Sequence, residues 1–288
     1  MTPAEVAEAA QLACLLEASA PKPGNVSPGH AFHDTSYEDF LASAVAIGPA
    51  MARAGTVPLG GTIHAAISST RRFTKANTNL GIVLLLAPLC RAAQRPGQLR
   101  ERVREVLAET TVADAASVYQ AIRLAAPTGL GSTEAQDVSS VPTIPLRDAM
   151  ALAAQRDMVA GEYVTDFAIT FERGAPALRK ALRGGLSWSQ AVVQTYLDLL
   201  AEIPDSHVVR KLGPAPAEAI MRRAGEVKRA GGAATPAGRL ALAAFDAELR
   251  DDRNTRNPGT TADLTAAAIC VVMLEDGWNS ARERPRAE

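Results

Sequence analysis

The sequence contains few of the residues that build β-sheets or disulfide frameworks. Aromatic residues make up 4% of its 288 residues, whereas alanine is abundant along the whole chain. Aromatic and β-branched residues favour strands, and alanine favours closely packed helices. The three cysteines, Cys14, Cys90 and Cys270, lie far apart in apolar segments and indicate small core residues in a reducing compartment. The composition predicts an all-α fold without disulfides.

An excess of charge and a long apolar run are also missing from the sequence. The net charge is −1, from 30 basic and 31 acidic residues, so no global field would attract nucleic acid or an anionic membrane. The longest apolar runs, residues 80–90 and 264–274, fall short of the ~20 residues that span a bilayer. We expect a cytoplasmic protein that binds neither nucleic acid nor a membrane. A homo-oligomer is left open.

Apolar residues at helical spacing predict one all-α domain, residues 1–288, of about ten helices, with a flexible basic tail from about residue 279. Thr2 and Glu5 have the spacing of a capping box at the start of the first helix. The predicted helices cover residues 3–18, 37–54, 59–69, 82–93, 99–109, 112–125, 145–171, 187–203, 216–230, 237–249 and 264–274.

A polar segment, residues 75–81, opens directly into the buried run that begins at Ile82. Either Thr78 or Asn79 is expected to cap the helix that follows. A helix start presents unpaired N–H groups and a positive dipole end, and Lys75 lies close by, so the segment is suited to a phosphate. The alternative is that the amides only cap a core helix.

A proline-rich loop, Pro21-Lys22-Pro23-Gly24-Asn25-Val26, follows the first helix. Two prolines and a glycine exclude helix here and can hold Lys22 in a fixed direction, close behind Glu17 at the helix end. The loop could equally be a surface linker with a solvated lysine. Farther on, His33 and Asp34 are residue types that serve proton transfer or metal binding.

Two further polar segments lie in the second half of the chain. Residues 203–213 concentrate Asp205, His207, Arg210 and Lys211 in what we expect to be a short turn, a density that a linker does not need. Asn257-Pro258-Gly259 precedes an apolar helix, and Thr260 with Asp263 has capping-box spacing.

Three motifs in this order resemble the triphosphoribosyl-dephospho-coenzyme A synthase family over about residues 15–274. They are Pro21-Lys22-Pro23-Gly24-Asn25-Val26 (the first motif), Asn77-Thr78-Asn79-x-Gly81 (the middle motif) and Asn257-Pro258-Gly259-Thr260-x-Ala262-Asp263-Leu264 (the third motif). The resemblance implies an all-helical enzyme that joins C1′ of the ATP ribose to the 2′-hydroxyl of 3′-dephospho-CoA and releases adenine. Its product would be the precursor of a prosthetic group of citrate or malonate lyase-type enzymes.

The implied chemistry requires phosphate ligands, sugar ligands, a metal site and a proton donor. The candidates for phosphate are Lys22, Lys75, Arg210 and Lys211. The other candidates for substrate binding are Asn25, Asn77, Thr78, Asn79 and Asn257. The candidates for Mg²⁺, which would accompany ATP, are Asp34, Asp205 and Asp263. The candidates for proton transfer are Glu17, His33 and Asp34.

Three alternatives remain at this stage. The protein could be a phosphoribosyl-type transferase with another acceptor, such as an intermediate of a pterin-type one-carbon cofactor. It could also be a helical module that binds a nucleotide without catalysis, or a scaffold without a ligand. Release of free adenine from ATP would distinguish the enzymes from the other two.

Overall fold

The structure, a computed structural model, describes residues 1–127, 129 and 131–280. Within these residues every element of regular secondary structure is a helix, which confirms the all-α fold. Ten of the α-helices have ten residues or more. None of the helices in this part of the chain is both long enough and apolar enough to cross a membrane. The basic tail, residues 282–286, lies outside the described residues.

The helices are α1 (Pro3–Ser19), α2 (Tyr37–Ala46), α3 (Gly48–Ala52), α4 (Leu59–Thr70), α5 (Leu80–Ala93), α6 (Leu99–Ala108), α7 (Val112–Ala125), α8 (Leu146–Ala151), α9 (Met158–Val164), α10 (Ala175–Arg183), α11 (Trp188–Leu200), α12 (Ser206–Leu212), α13 (Pro214–Arg229), α14 (Pro236–Leu249), α15 (Gly259–Glu275) and α16 (Gly277–Ser280). A π-helical turn, Thr170–Gly174, precedes α10.

The chain divides into two compact units. The first unit comprises Met1–Cys14 and Glu38–Ala168, and the second comprises Leu15–Tyr37 and the chain from Ile169 onward. The single domain expected from the sequence therefore stays a prediction, while the helix class is confirmed.

Helix α1 begins at the capping box that the sequence predicts. The Thr2 backbone N–H donates to Glu5 Oε2 at 2.8 Å, and the Glu5 N–H donates to Thr2 Oγ1 at 3.3 Å. These two bonds satisfy backbone donors that have no partner inside the helix.

Helix α5 is the core of the first unit, with eleven of its fourteen residues buried. It contains Pro88, which has no N–H to donate to the carbonyl of Leu84 four residues earlier. The Tyr163 hydroxyl donates to that carbonyl at 2.7 Å. A side chain of α9 thus replaces the hydrogen bond that the proline removes from α5.

The helix predicted over residues 37–54 is wrong as a continuous element, because α2 ends at Ala46 and α3 begins at Gly48. Pro49 cannot donate to the carbonyl of Val45, and Gln11 Nε2 of α1 donates to it instead at 2.9 Å. A Cβ atom at Gly48 would lie 2.5 Å from the Gln11 side chain, so glycine leaves room for this contact. The same replacement therefore occurs at two prolines of the first unit.

The continuous helix predicted over residues 145–171 is also wrong. Helix α8 ends at Ala151, and Asp157 caps the start of α9, since its Oδ1 accepts from the N–H groups of Val159 at 2.9 Å and Ala160 at 3.1 Å. Asp166 and Phe167 then have φ of 53° and 59°, in the left-handed region, which no α-helix can continue.

Helix α15 is the core of the second unit, with thirteen of its seventeen residues buried. It packs against α10, α11, α12 and the π-helical turn. It begins at Gly259, five residues before the predicted start, so Thr260 lies inside the helix. The predicted capping box of Thr260 and Asp263 is therefore wrong, and Thr260 Oγ1 accepts from the Ser206 hydroxyl at 3.1 Å.

Candidate functional site

The first and third motifs contact each other within the second unit. Gly24 has φ of +73°, which favours glycine, and a Cβ atom at this position would lie 3.0 Å from Leu249 and 3.3 Å from Pro258 of the third motif. The Gly24 N–H donates to Asp246 Oδ1 of α14 at 2.8 Å. The proline-rich loop is therefore held against α14 and the start of α15.

Two side chains fix the rest of the loop. Arg250 pairs with Asp246 through two bonds of 2.8 Å and donates to the carbonyl of Asn25 at 3.1 Å. Asn25 Nδ2 donates to the Tyr196 hydroxyl at 3.0 Å and to the Pro23 carbonyl at 3.1 Å. Burial raises the pKa of Tyr196 well above its usual value, so its hydroxyl keeps its proton and donates to the Pro23 carbonyl at 2.9 Å.

Lys22 is buried and paired with Glu17. Its Nζ lies 2.9 Å from Glu17 Oε1, and the two side chains are 0% and 5% exposed. It also donates to the carbonyls of Glu17 and Ala20. Because an ammonium has three N–H donors, all three have acceptors here. A phosphate contact by Lys22 and proton transfer by Glu17 stay predictions; the pair itself ties the loop to the end of α1.

Residues 203–213, predicted as a short turn, instead contain helix α12, which corrects that expectation. Asp205 is its N-cap: Oδ1 accepts from the Val208 N–H at 3.0 Å. Oδ2 accepts from the N–H and the hydroxyl of Thr261 at 2.7 and 2.8 Å. Burial raises the pKa of Asp205, and these hydrogen bonds act in the opposite direction. Asp205 thus fixes α12 to α15, which no short-range sequence pattern could have revealed.

Arg210 and Lys211 lie in the last turn of α12, close to other polar groups of the second unit. Lys211 Nζ donates to the Asn254 carbonyl at 3.2 Å. Burial and the nearby charge of Arg210 lower the pKa of Lys211, while Asp251 and Asp34 oppose this. An open groove of about 480 Å³ adjoins the end of α12, lined by Leu212, Pro216 and five residues between positions 251 and 256.

His33 and Asp34 belong to the same region of the second unit. The Asn254 amide nitrogen lies 3.0 Å from His33 Nδ1. Since an amide nitrogen only donates, Nδ1 accepts, which leaves Nε2 as the ring nitrogen that carries a proton. Nε2 is 3.8 Å from Asp34 Oδ2, and both side chains are more than half exposed. The structure therefore brings together His33, Asp34 and Lys211, with Asn254 between them.

His207 is a polar group that the sequence analysis did not select as a site residue. Its Nε2 is buried, and so is Asn257 Oδ1; neither has a hydrogen-bond partner in the part of the chain that the structure describes. A Cβ atom at Gly259 would lie 2.7 Å from His207 Nδ1, so His207 packs on the start of α15. Burial, then Lys211 and Arg210, lower the pKa of His207 to about 3. The sequence does place His207 three and four residues before Arg210 and Lys211, a spacing that puts the three side chains on one face of a helix.

The middle motif belongs to the first unit. Asn79 occupies the N-cap position of α5 but makes no side-chain capping bond. Its Nδ2 donates to Thr70 Oγ1 at 3.2 Å. The Thr78 and Ser43 hydroxyls bond at 2.6 Å. The expectation that Thr78 or Asn79 caps α5 is confirmed for the position of Asn79, but the side-chain hydrogen bond to the start of the helix comes from Asn77. Asn77 Oδ1 accepts from the Leu80 N–H at 3.1 Å.

The side chains of the polar segment 75–81 face two ways. Thr78 and Asn79 are buried, whereas Lys75 and Asn77 are exposed. The Lys75 carbonyl accepts from the Arg71 guanidinium, which leaves the Lys75 ammonium outside this contact. Exposed lysine and amide groups on a turn suit an anionic ligand, so the substrate-binding assignments of Lys75 and Asn77 stay predictions that are compatible with their exposure.

The carboxylates fit a metal ion that is shared with a substrate better than one held by protein alone. Across the described ranges, no group of three or more His, Cys, Asp or Glu is arranged to hold a metal. Mg²⁺ is commonly bound by one or two carboxylates together with substrate phosphates. The exposed Asp34 suits that mode, and Asp263 lies partly exposed in the second turn of α15. Asp205 suits it less, because its two oxygens already accept three hydrogen bonds.

Comparisons with known proteins agree with the resemblance of the motifs. The model of the ATP:dephospho-CoA triphosphoribosyl transferase family matches residues 3–282. A 2-(5″-triphosphoribosyl)-3′-dephosphocoenzyme-A synthase of Klebsiella pneumoniae is 35% identical over 94 residues, or 33% of each chain. A candidate enzyme of the same name from Pseudomonas fluorescens is 30% identical over 111 residues, or 38% of each chain. The matches thus span about a third of the length of each of these relatives.

A solved structure matches over a longer range. The crystal structure of a candidate triphosphoribosyl-dephospho-CoA synthase from Archaeoglobus fulgidus is similar with a TM-score of 0.64 and 31% identity. The match covers 82% of this chain and 98% of that one. Together with the family model, it shows that the chain belongs to the ATP:dephospho-CoA triphosphoribosyl transferase family.

Proposed function

We propose that the protein transfers the 5-triphosphoribosyl group of ATP to the 2′-hydroxyl of 3′-dephospho-CoA, in the cytoplasm, and releases adenine. The bond between adenine and C1′ of the ribose breaks, and a bond between C1′ and the acceptor oxygen forms. The acceptor hydroxyl gives up its proton, adenine gains one, and the triphosphate stays on the ribose. The observation that supports the proposal most is the contact between the first and third motifs, at Gly24 and Pro258, in the unit that carries Arg210 and Lys211.

Arg210 and Lys211 are the proposed phosphate ligands of the second unit. Successive side chains near the end of one helix present two positive charges in a chain whose net charge is only −1. The triphosphate therefore depends on local charge rather than on a global field. For the first unit by itself, the exposed Lys75 is proposed as a phosphate ligand.

The amide side chains are proposed to orient the substrates. Asn257 is proposed to contact a sugar, and the exposed Asn77 a sugar or phosphate group. Asn25, Thr78 and Asn79 are buried and bonded within the fold, so we propose that they act by shaping the backbone around the substrate. Lys22 and Glu17, paired with each other, are proposed to hold the first motif in place.

His33 and Asp34 are the proposed groups for proton transfer. His33 is oriented by Asn254, and the side chains of both His33 and Asp34 are more than half exposed. A proton must leave the acceptor hydroxyl and another must reach adenine, and imidazole and carboxylate side chains are groups that serve in such transfers.

Mg²⁺ is proposed to bind with ATP, held by Asp34 and Asp263 and by the phosphates. When bound, the ion neutralises phosphate charge. We propose that Asp205 instead positions α12, and through it Arg210 and Lys211, by its hydrogen bonds to Thr261.

The test is the release of adenine. Purified protein is incubated with Mg-ATP and dephospho-CoA, and adenine and the coupled product are measured by chromatography and mass spectrometry. The proposal expects equal amounts of the two, and neither without the acceptor. Lys211→Ala should lower the rate, whereas Lys228→Ala, at a lysine paired with Asp198 on α11, should not. ADP or free phosphate without adenine would contradict the proposal.

A further inference from the structure

Two polar atoms, His207 Nε2 and Asn257 Oδ1, are buried without a hydrogen bond to any described residue. A buried polar group without a partner costs about 1–3 kcal/mol, so such groups in native proteins call for an explanation. These two lie on elements that contact each other, because His207 packs against Gly259, two residues after Asn257. A shared ligand would satisfy both.

The chemistry of the two atoms restricts that ligand. Asn257 Oδ1 is an amide oxygen and only accepts, so its partner must be a donor. An ionised phosphate has only acceptors and cannot be that partner. His207, a neutral imidazole, offers a donor or an acceptor at Nε2, and a hydroxyl group can bond with either. The pair therefore suits hydroxyl groups rather than phosphate oxygens.

Two cationic side chains lie on the same helix as His207. Arg210 and Lys211 follow His207 by three and four residues on α12, so the three side chains share one face of the helix. A ligand on this face would meet two cations beside two groups that bind hydroxyls. A ribosyl phosphate has this combination, with sugar hydroxyls a few ångströms from a phosphate chain.

We propose that His207, together with Asn257, binds ribose hydroxyls of a nucleotide substrate whose phosphates Arg210 and Lys211 hold. The inference rests on the proposed function and adds a residue that distinguishes a hydroxyl from a phosphate or a hydrogen at the same sugar position. Either the ribose of ATP or the adenosine ribose of dephospho-CoA can supply the hydroxyl. Gly259 serves the site by leaving room for the imidazole ring.

The experiment combines variants of the protein with changes in the sugar. Dissociation constants are measured by calorimetry for ATP, 2′-deoxy-ATP, 3′-deoxy-ATP, dephospho-CoA, CoA and inorganic triphosphate. The proteins are the wild type, His207→Phe, His207→Gln and Asn257→Ala, with His64→Phe in the first unit as a control. Thermal unfolding of each variant verifies that it is folded.

The expected result is that the losses of affinity caused by the His207 substitution and by the modified sugar are not additive. For the nucleotide that occupies the site, loss of the hydroxyl weakens wild-type binding about five- to tenfold, as expected for one hydrogen bond. His207→Phe weakens binding of the parent nucleotide by a similar factor, and this variant loses little further affinity when the hydroxyl is removed from the sugar. His207→Gln keeps most of the affinity, and inorganic triphosphate binds equally to wild type and His207→Phe. A response to the deoxy-ATP analogues identifies the donor ribose; a response to CoA identifies the acceptor ribose.

Other outcomes overturn the inference. If wild type and His207→Phe lose the same factor with every modified sugar, or if triphosphate binding falls as much as ATP binding, His207 has only a structural role. If His207→Phe is unfolded, the same comparison with Asn257→Ala decides. Adenine release with additive losses contradicts this inference and leaves the proposed function standing. The expected non-additive pattern without adenine release supports this inference and contradicts the proposed function. Absence of all nucleotide binding contradicts both.

Discussion

Lys22 and Glu17 form an ion pair of 2.9 Å whose side chains are 0% and 5% exposed. The sequence analysis predicted that the flanking prolines fix the direction of the Lys22 side chain and named Lys22 as a candidate phosphate ligand. In the structure its three N–H groups bond to acceptors at the end of α1. The pair therefore connects the first motif to α1.

Removing one partner of this pair should destabilise the protein strongly. Lys22→Met leaves a buried carboxylate without its cation, and such a loss costs about 3–5 kcal/mol. The double variant Lys22→Met/Glu17→Gln should recover a large part of this free energy, as measured by urea unfolding. Lys228→Met, which breaks a surface pair with Asp198, should cost about 1 kcal/mol or less. A stable Lys22→Met protein that has lost only ATP affinity would instead support a direct phosphate contact.

The Tyr163 hydroxyl should matter because Pro88 is present. Tyr163→Phe leaves the buried Leu84 carbonyl without a donor, and we expect a loss of about 1–3 kcal/mol in the free energy of unfolding. In a Pro88→Ala background the backbone N–H of residue 88 can donate to Leu84, so Tyr163→Phe should cost clearly less. Equal costs in the two backgrounds would show that the hydroxyl and the missing N–H are independent.

Acid should destabilise the protein partly through His207. Its pKa is lowered from the ordinary 6.5 to about 3, so the unfolded chain binds a proton in this window and the folded protein does not. The contribution of His207 to stability is therefore complete above pH 6.5 and is lost as the pH falls towards 3, by about 1.4 kcal/mol per unit. His207→Gln should flatten this part of the stability curve, measured by chemical unfolding between pH 7 and pH 4.5. An unchanged slope would show that His207 is protonated in the folded state.

Asp205 and Asp34 should respond differently to substitution. Asp205→Asn disturbs the bonds to Thr261 and should lower the midpoint of thermal unfolding, without changing the Mg²⁺ concentration that gives half-maximal adenine release. Asp34→Asn, at an exposed carboxylate, should leave the unfolding midpoint unchanged and raise that Mg²⁺ concentration. The opposite result would assign the metal to Asp205.

The sequence predicted the helix class, most helix positions and the order of motifs that identifies the family, because these depend on local periodicity and short patterns. The breaks near Pro49 and Asp157 were missed, since apolar spacing continues through both positions while the backbone hydrogen bonds do not. Asn25 and Tyr196, 171 residues apart, could not be paired from the sequence. The role of Asp205 at Thr261 was hidden for the same reason: the partner of a buried polar group is set by packing.

Pro49 and Pro88 of the first unit limit how far its helices can slide past one another. Each leaves one carbonyl without its helical donor, and a side chain of another helix donates to it, Gln11 to Val45 and Tyr163 to Leu84. A shift of α1 or α9 by one helical turn, about 5.4 Å, would leave a donor and an acceptor without partners. Residues that weaken single helices thus select one alignment of neighbouring helices over all others.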